Sequence, residues 1–201
     1  MRALGVFATA PIPGRVKPRL AADVGPSVAA EVYWRVGRKV VAATLGSGYC
    51  TTVWFSPPSE AAFIREWLDG LGRVELRAQV SGTVGARLGA AFAFHFHDGA
   101  RRVVLAGTDS PGVDRRLVAE AFNALGAYDV VLGPSVDGGY YLIGLVEPQP
   151  ALFRAIPWGT ATVLAQTRAR IVGCGLRLRL LKPLRDVDTA RDARALGFLK
   201  P

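Results

Sequence analysis

The sequence is poor in several residue types, and each shortage removes a class of explanation. It has two cysteines, Cys50 and Cys174, far apart and in no C-x-x-C or zinc-type spacing. A disulfide framework and a cysteine-built metal site are therefore excluded. A reducing, cytoplasmic setting is the expectation, with both thiols read as core residues. Histidine is equally scarce: only His95 and His97 occur. Two residues apart on a helix they would point about 200° from each other and could not share a metal. Phe92–His97 alternates with period two, but its alanine content makes helix the expected state. No serine has an evident histidine partner for a nucleophilic relay. No apolar run approaches the ~20 residues of a membrane span. Only eight residues separate Arg2 from Pro11, too few for a secretory leader, so this segment reads as a first strand. The Walker A pattern is absent, and no G-x-G-x-x-G follows the first strand, which excludes the common P-loop and NAD-binding readings.

Acid is also short where base is plentiful. The 201 residues carry a net charge of +9, with no acid before Asp23 and none among the seven basic residues from Pro148 to Arg185. Only Lys17, Lys39, Lys182 and Lys200 are lysines, so arginine supplies the rest. Two explanations stand. Arginine suits planar contact with phosphate or carboxylate, or the bias belongs to the whole proteome. The basic stretch would face nucleic acid or frame a phosphate pocket. No RNP, KH-type or zinc-finger pattern accompanies the charge, so nucleic acid is set aside as a partner.

Half of the residues are hydrophobic and the mean hydropathy is +0.25, which excludes a disordered chain. The length suits one domain over residues 1–201, with a folded surface of roughly 9,000 Å². Short buried strands are expected at Leu4–Ala8, Cys50–Phe55, Val74–Gln79, Val103–Ala106, Val130–Leu132, Tyr140–Val146 and Leu176–Leu181. Helices are expected at Ser27–Leu45, Ser59–Leu71 with Ser59 as its cap, Leu117–Leu125, Thr162–Val172 and Thr189–Leu196. This alternation predicts an α/β fold, a three-layer α/β/α sandwich around a mostly parallel sheet. Ligands bind such sheets at the carboxyl ends of strands, which singles out Thr9–Leu20, Thr108–Pro111 and Pro134–Gly139.

The first of these segments holds three prolines, Gly14 and the cations Arg15, Lys17 and Arg19. Extended after Gly14, it would project the three cations to one side to hold a di- or triphosphate; the alternative is a solvated basic loop. Asp109, at a strand end, either holds Mg²⁺ or Mn²⁺ against phosphate or shapes the turn before Pro111. Asp137 lies in Asp137-Gly138-Gly139, either ordinary turn chemistry or a general base near a reacting hydroxyl. Asp186 and Asp188 would share one face of an extended segment, and Asp188 or Thr189 would cap the last helix. Trp158-Gly159-Thr160 would line a pocket or cap a helix.

Together, Phe7–Leu20, Leu105–Pro111 and Leu132–Leu145, followed by Phe153, Ile156, Trp158-Gly159-Thr160 and Asp186-Val187-Asp188-Thr189, resemble one family. It is the rSAM/selenodomain-associated transferases, also called arsenosugar-biosynthesis glycosyltransferases, within the nucleotide-diphospho-sugar transferase (GT-A) superfamily. The resemblance spans about residues 4–196. It implies a metal-dependent glycosyltransferase that moves a sugar from a nucleotide-sugar to a small acceptor. The alternative is a nucleotidylyltransferase that uses a nucleoside triphosphate and releases pyrophosphate. The resemblance also implies nucleotide binding by Pro11, Gly14, Arg15, Lys17, Arg19, Gly82, Arg87 and Asp109. It implies Mg²⁺ or Mn²⁺ on Asp109 and Asp188, and catalytic roles for Asp137, Lys17 and Arg15. Two positions depart from the family pattern: Pro18 stands where a hydroxyl residue is usual, and Thr83 replaces an Asp.

Overall fold

The computed structural model describes residues 1–200 and is built on one seven-stranded sheet of order β3-β2-β1-β4-β6-β5-β7. Its strands are β1 (Arg2–Thr9), β2 (Cys50–Ser56), β3 (Glu75–Ala78), β4 (Arg102–Gly107), β5 (Val130–Pro134), β6 (Tyr140–Leu145) and β7 (Leu178–Leu180). All neighbours are parallel except β6, which runs antiparallel to both β4 and β5. The antiparallel strand follows from chain economy. A short loop after β5 can only fold back as a hairpin, whereas a parallel return needs a crossover. The sequence-predicted α/β sandwich with a mostly parallel sheet is the fold observed.

The central strands read as short apolar runs because both of their faces are covered, whereas the edge strands β3 and β7 carry exposed residues. Leu4, Val6 and Ala8 of β1 face one core with Val104, Ala106 and Val131. Ala3, Val103, Leu105, Val130, Leu132 and Ile143 face the other. Helices α2 (Pro26–Leu45), α3 (Ala61–Trp67) and α5 (Arg115–Ala124) cover the first face. Helices α4 (Val84–His97) and α6 (Val163–Gly173) cover the second. A third cluster packs α1 (Pro18–Val24) and α7 (Ala190–Ala195) against α2 through Leu20, Val32, Val36 and Val187.

Three expectations change. Ser59 does not cap a long helix; Pro58–Glu60 form a 3₁₀ turn and α3 runs only from Ala61 to Trp67. Cys50 and Cys174 are exposed rather than core thiols, because Cys50 opens β2 at the rim of the sheet and Cys174 ends α6. The segment after Gly14 is not extended. Pro18 takes the first helical position of α1, where its missing N–H costs nothing, and Lys17 before it adopts a left-handed backbone (φ 49°). The histidine expectation holds: His95 is buried and His97 exposed on α4.

Candidate active site

The three strand-end segments meet in one cleft of about 780 Å³. Strand order reverses between β1 and β4, since β2 and β3 lie on one side of β1 and β4 on the other. Diverging loops leave a crevice at such a point, and this cleft fills it. Phe7, Leu105 and Ile143 form its apolar floor, and Leu88 of α4, Tyr140 and Trp158 its far wall.

Tyr33 of α2 ties the two central strands together beneath the cleft. Its hydroxyl accepts the Thr9 N–H at 3.0 Å and meets Thr108 Oγ1 at 2.8 Å, while Thr108 donates to the Phe7 carbonyl at 3.1 Å. Gln79, buried at the end of β3, donates to the carbonyls of Trp54 (2.8 Å) and Ala8 (3.3 Å). Arg87 of α4 donates to Gly82 O at 3.1 Å, so its half-buried guanidinium is held at the cleft wall. Thr83 caps α4 by accepting the Ala86 N–H at 3.2 Å, a role that the Asp usual in the resembling family would also fill.

Acidic groups converge from two elements far apart in sequence. Asp109 follows β4, and Asp186 and Asp188 lie in the extended segment before α7. Val187 between them is buried and donates its N–H to Asp109 O at 3.0 Å. That bond pins the segment across the end of β4, so alternation turns both neighbouring carboxylates into the cleft. Thr189, not Asp188, caps α7, in a capping box with Asp192. The Asp186 carboxylate accepts from Ser110 Oγ and, at 3.0 Å, from Ser135 Oγ, joining the ends of β4 and β5. Burial pushes its carboxyl up to about 6, reinforced by the charge on Asp109 and opposed by the serine hydroxyls.

Lys17 completes the constellation. Its side chain is only 6% exposed, and its Nζ pairs with Asp109 Oδ1 and, at 2.9 Å, with Asp188 Oδ1. The Tyr33 ring lies 5.6 Å below the ammonium. Burial works against the charge, but the two carboxylates outweigh it and hold the amine well above the ordinary lysine range. Asp137 is exposed in the lining of the cleft, and its Oδ1 accepts the Gly139 N–H at 3.0 Å.

Of the sequence-predicted site residues, Arg15, Lys17, Arg19, Arg87, Asp109, Asp137 and Asp188 line the cleft. Pro11, Gly14 and Gly82 do not. Gly14 and Gly82 have positive φ and turn the loops (78° and 112°), and Pro11 is buried beneath its own. The three loop cations all line the cleft but do not project to one side. Arg15 reaches out to Glu60 at 3.4 Å, Lys17 turns inward and Arg19 sits exposed on α1. The basic stretch from Pro148 to Arg185 contributes no cation to the lining. Sequence reasoning misses Tyr33, and reaches Ser110, Ser135 and Asp186 only as members of the two strand-end segments and of the Asp186–Asp188 pair. Asp186 carried a signal in its alternation with Asp188, whereas Tyr33 looks like any buried residue of an amphipathic helix.

Four cations of the lining (Arg15, Lys17, Arg19, Arg87) stand against four carboxylates (Asp109, Asp137, Asp186, Asp188). The cleft is thus formally neutral although the chain is strongly basic. Two hard carboxylate oxygens already grip one cation, Lys17, which is the donor set that a hard divalent ion takes.

Residues 40–160 match the sequence profile of a family described as an uncharacterized protein conserved in bacteria, DUF2064. The chain belongs to the DUF2064 family. A candidate nucleotide-diphospho-sugar transferase from Desulfovibrio desulfuricans G20 is 32% identical to it, with a TM-score of 0.91 over 97% of this chain and 85% of that one. The DUF2064 chain also shares its fold with a CMP:2-keto-3-deoxy-manno-octonic acid synthetase complexed with CTP (14% identity, TM-score 0.56, 98% of each chain). It shares it too with Rv0371c of Mycobacterium tuberculosis H37Rv in complex with manganese (19% identity, TM-score 0.57, 98% of each chain). No curated protein matches the sequence. No helix among the described residues is long and apolar enough to cross a membrane.

Proposed function

We propose that this chain is a divalent-metal-dependent transferase acting on a nucleotide-activated donor, and that it moves a sugar from a nucleoside-diphosphate sugar to a small acceptor. In this reading residues 1–201 work as one domain of the rSAM/selenodomain-associated, arsenosugar-biosynthesis-type class. The observation that carries the reading is the meeting of Asp109 and Asp188 around a single cation, at the crevice where strand order reverses.

Charge supplies the chemical reason. A diphosphate entering a formally neutral cleft needs added positive charge, and Mg²⁺ or Mn²⁺ on Asp109 and Asp188 provides it. When bound, such an ion offsets the charge that develops on a diphosphate leaving group. Arg15, Arg19 and Arg87 contact the nucleotide and its phosphates from the rim, as preorganised positive charge. Gln79 and Tyr33 hold the strand ends that carry these groups. Asp137, on the acceptor side of the cleft, accepts the proton of the attacking hydroxyl. Tyr140 and Trp158 offer aromatic surface beside it for the acceptor.

The test is thermal unfolding with Mn²⁺ and a panel of nucleotide-sugars and nucleoside triphosphates. At about 100 times its Kd, the true donor adds about 2.7 kcal/mol, a shift of roughly 5–10 °C at this size. Asp109→Asn is expected to abolish the metal-dependent part of the shift. A shift confined to a triphosphate, with pyrophosphate released on turnover, would replace glycosyl transfer by nucleotidyl transfer. Binding that ignores the metal in both proteins would overturn the metal assignment.

A further inference from the structure

We propose that Lys17 is a resident counter-cation which makes metal binding at Asp109 and Asp188 depend on the nucleotide. This rests on the functional reading above and adds an order of events to it. In the structure the ammonium takes the place that a cation shared by the two carboxylates would take. It is not a wandering surface lysine. Its side chain is almost wholly buried, its backbone is held left-handed between Gly14 and the proline that starts α1, and its head lies over Tyr33.

A divalent ion gripped by both carboxylates would stand in direct contact with that ammonium. Like charges at contact distance repel, and water screens this pair only in part because the lysine side chain is almost wholly buried while the carboxylates are partly exposed. The metal therefore binds well only once Nζ has left. The four-carbon lysine stem is flexible, and Lys17 lines the same cleft as Arg15 and Arg87. The phosphates of an incoming donor offer its ammonium a new anionic partner, and the carboxylate pair is released to the metal. Nucleotide and metal then bind cooperatively, each tightening the other by the same factor. Without nucleotide the site keeps its own cation and takes up little metal.

The experiment measures Mn²⁺ binding to the full chain by titration calorimetry and by the spin-resonance signal of free Mn²⁺. Wild type, Lys17→Met and Lys17→Arg are compared without nucleotide. Lys17→Met is expected to bind Mn²⁺ at least about tenfold more tightly than wild type, within the usual span of couplings. Lys17→Arg should stay weak, and Lys17→Met with Asp109→Asn should lose the gain. Equal Mn²⁺ affinity in wild type and Lys17→Met overturns the proposal. Should Lys17→Met not fold, wild type suffices. With four lysines in the chain, ¹⁵N-lysine labelling resolves the Lys17 ammonium by NMR. Its signal should be unchanged by excess Mg²⁺ alone and move when UDP or GDP is added with the metal. A signal that moves equally with Mg²⁺ alone overturns the proposal. The two readings fail differently. If no form binds Mn²⁺ even with nucleotide, the metal-dependent transferase reading falls and takes this one with it. If wild type binds Mn²⁺ with nucleotide while Lys17→Met alone gains nothing, only the counter-cation role falls.

Discussion

At the scale of single residues, buried polar groups that serve the cleft without facing a reactant are the most exposed to test. Gln79 donates from its buried amide to two main-chain carbonyls, of Ala8 and Trp54. Gln79→Leu should cost about 1–3 kcal/mol of stability in urea unfolding, the net worth of the two hydrogen bonds it loses. It should also loosen Arg87, whose guanidinium reaches the same amide at 3.5 Å, and so weaken nucleotide binding. His95 gives a pH signature. Its Nε2 accepts the Trp54 indole N–H at 3.1 Å, and burial lowers its pKa below the ordinary value near 6.5. The folded state thus binds this proton less readily than the unfolded chain. The stabilising difference is complete above about pH 6.5 and is lost as pH falls through the lower folded value. Urea unfolding between about pH 7.5 and pH 5 should show that decline, and His95→Gln, which keeps an acceptor for Trp54, should flatten it.

At the scale of elements, the hairpin loop between β5 and β6 decides where Asp137 points. Gly138 has φ +93°, and a Cβ there would lie 2.1 Å from the backbone oxygen of Ala161. Its carbonyl also accepts the Leu164 N–H at 2.9 Å, at the start of α6. Gly138→Ala combines a strained backbone with a clash against main chain that cannot step aside. A loss of about 2–4 kcal/mol is expected, in the range of strain and overpacking together. Because this loop carries Asp137 and none of the cations of the lining, turnover should fall further than nucleotide affinity; equal loss of both would place Gly138 in general stability alone. The same scale explains what the loop after β1 does. Pro18 starts a helix rather than continuing an extended strand, and this sends Arg15, Lys17 and Arg19 in three directions. Periodicity could not reveal it, because a seven-residue helix holds fewer than two turns.

At the scale of the molecule, the accessible surface is 9607 Å², close to the roughly 9,000 Å² expected for this length. Charge is spread unevenly over that surface. The chain carries +9, yet the cleft lining balances four cations against four carboxylates. In the proposed function the excess acts at long range, steering the anionic donor toward the cleft. Raising NaCl from about 50 to about 500 mM should weaken nucleotide binding severalfold by screening, chiefly through the association rate. A salt-insensitive association rate would assign the excess charge to another role.

The sequence by itself determined the layered α/β fold. Short apolar runs alternating with amphipathic helices admit few other burials, and the strand-end rule then located three of the segments that line the cleft. It also marked Asp109 and Lys17 by their place after strands, where polar groups have no core to serve, and Asp188 by its alternation with Asp186. Tertiary structure alone decided their partnership. Lys17 meets Asp188 across 171 positions of sequence because Val187 bonds the main chain of Asp109, and no local pattern encodes that bond. Tertiary structure likewise exposed both cysteines, put Asp186 between two serines and made Tyr33 the tie between β1 and β4. Local pattern reports which face of an element is buried. Which groups then stand opposite one another depends on how the elements pack, and that sum of many weak long-range contacts is written nowhere in a single stretch of chain.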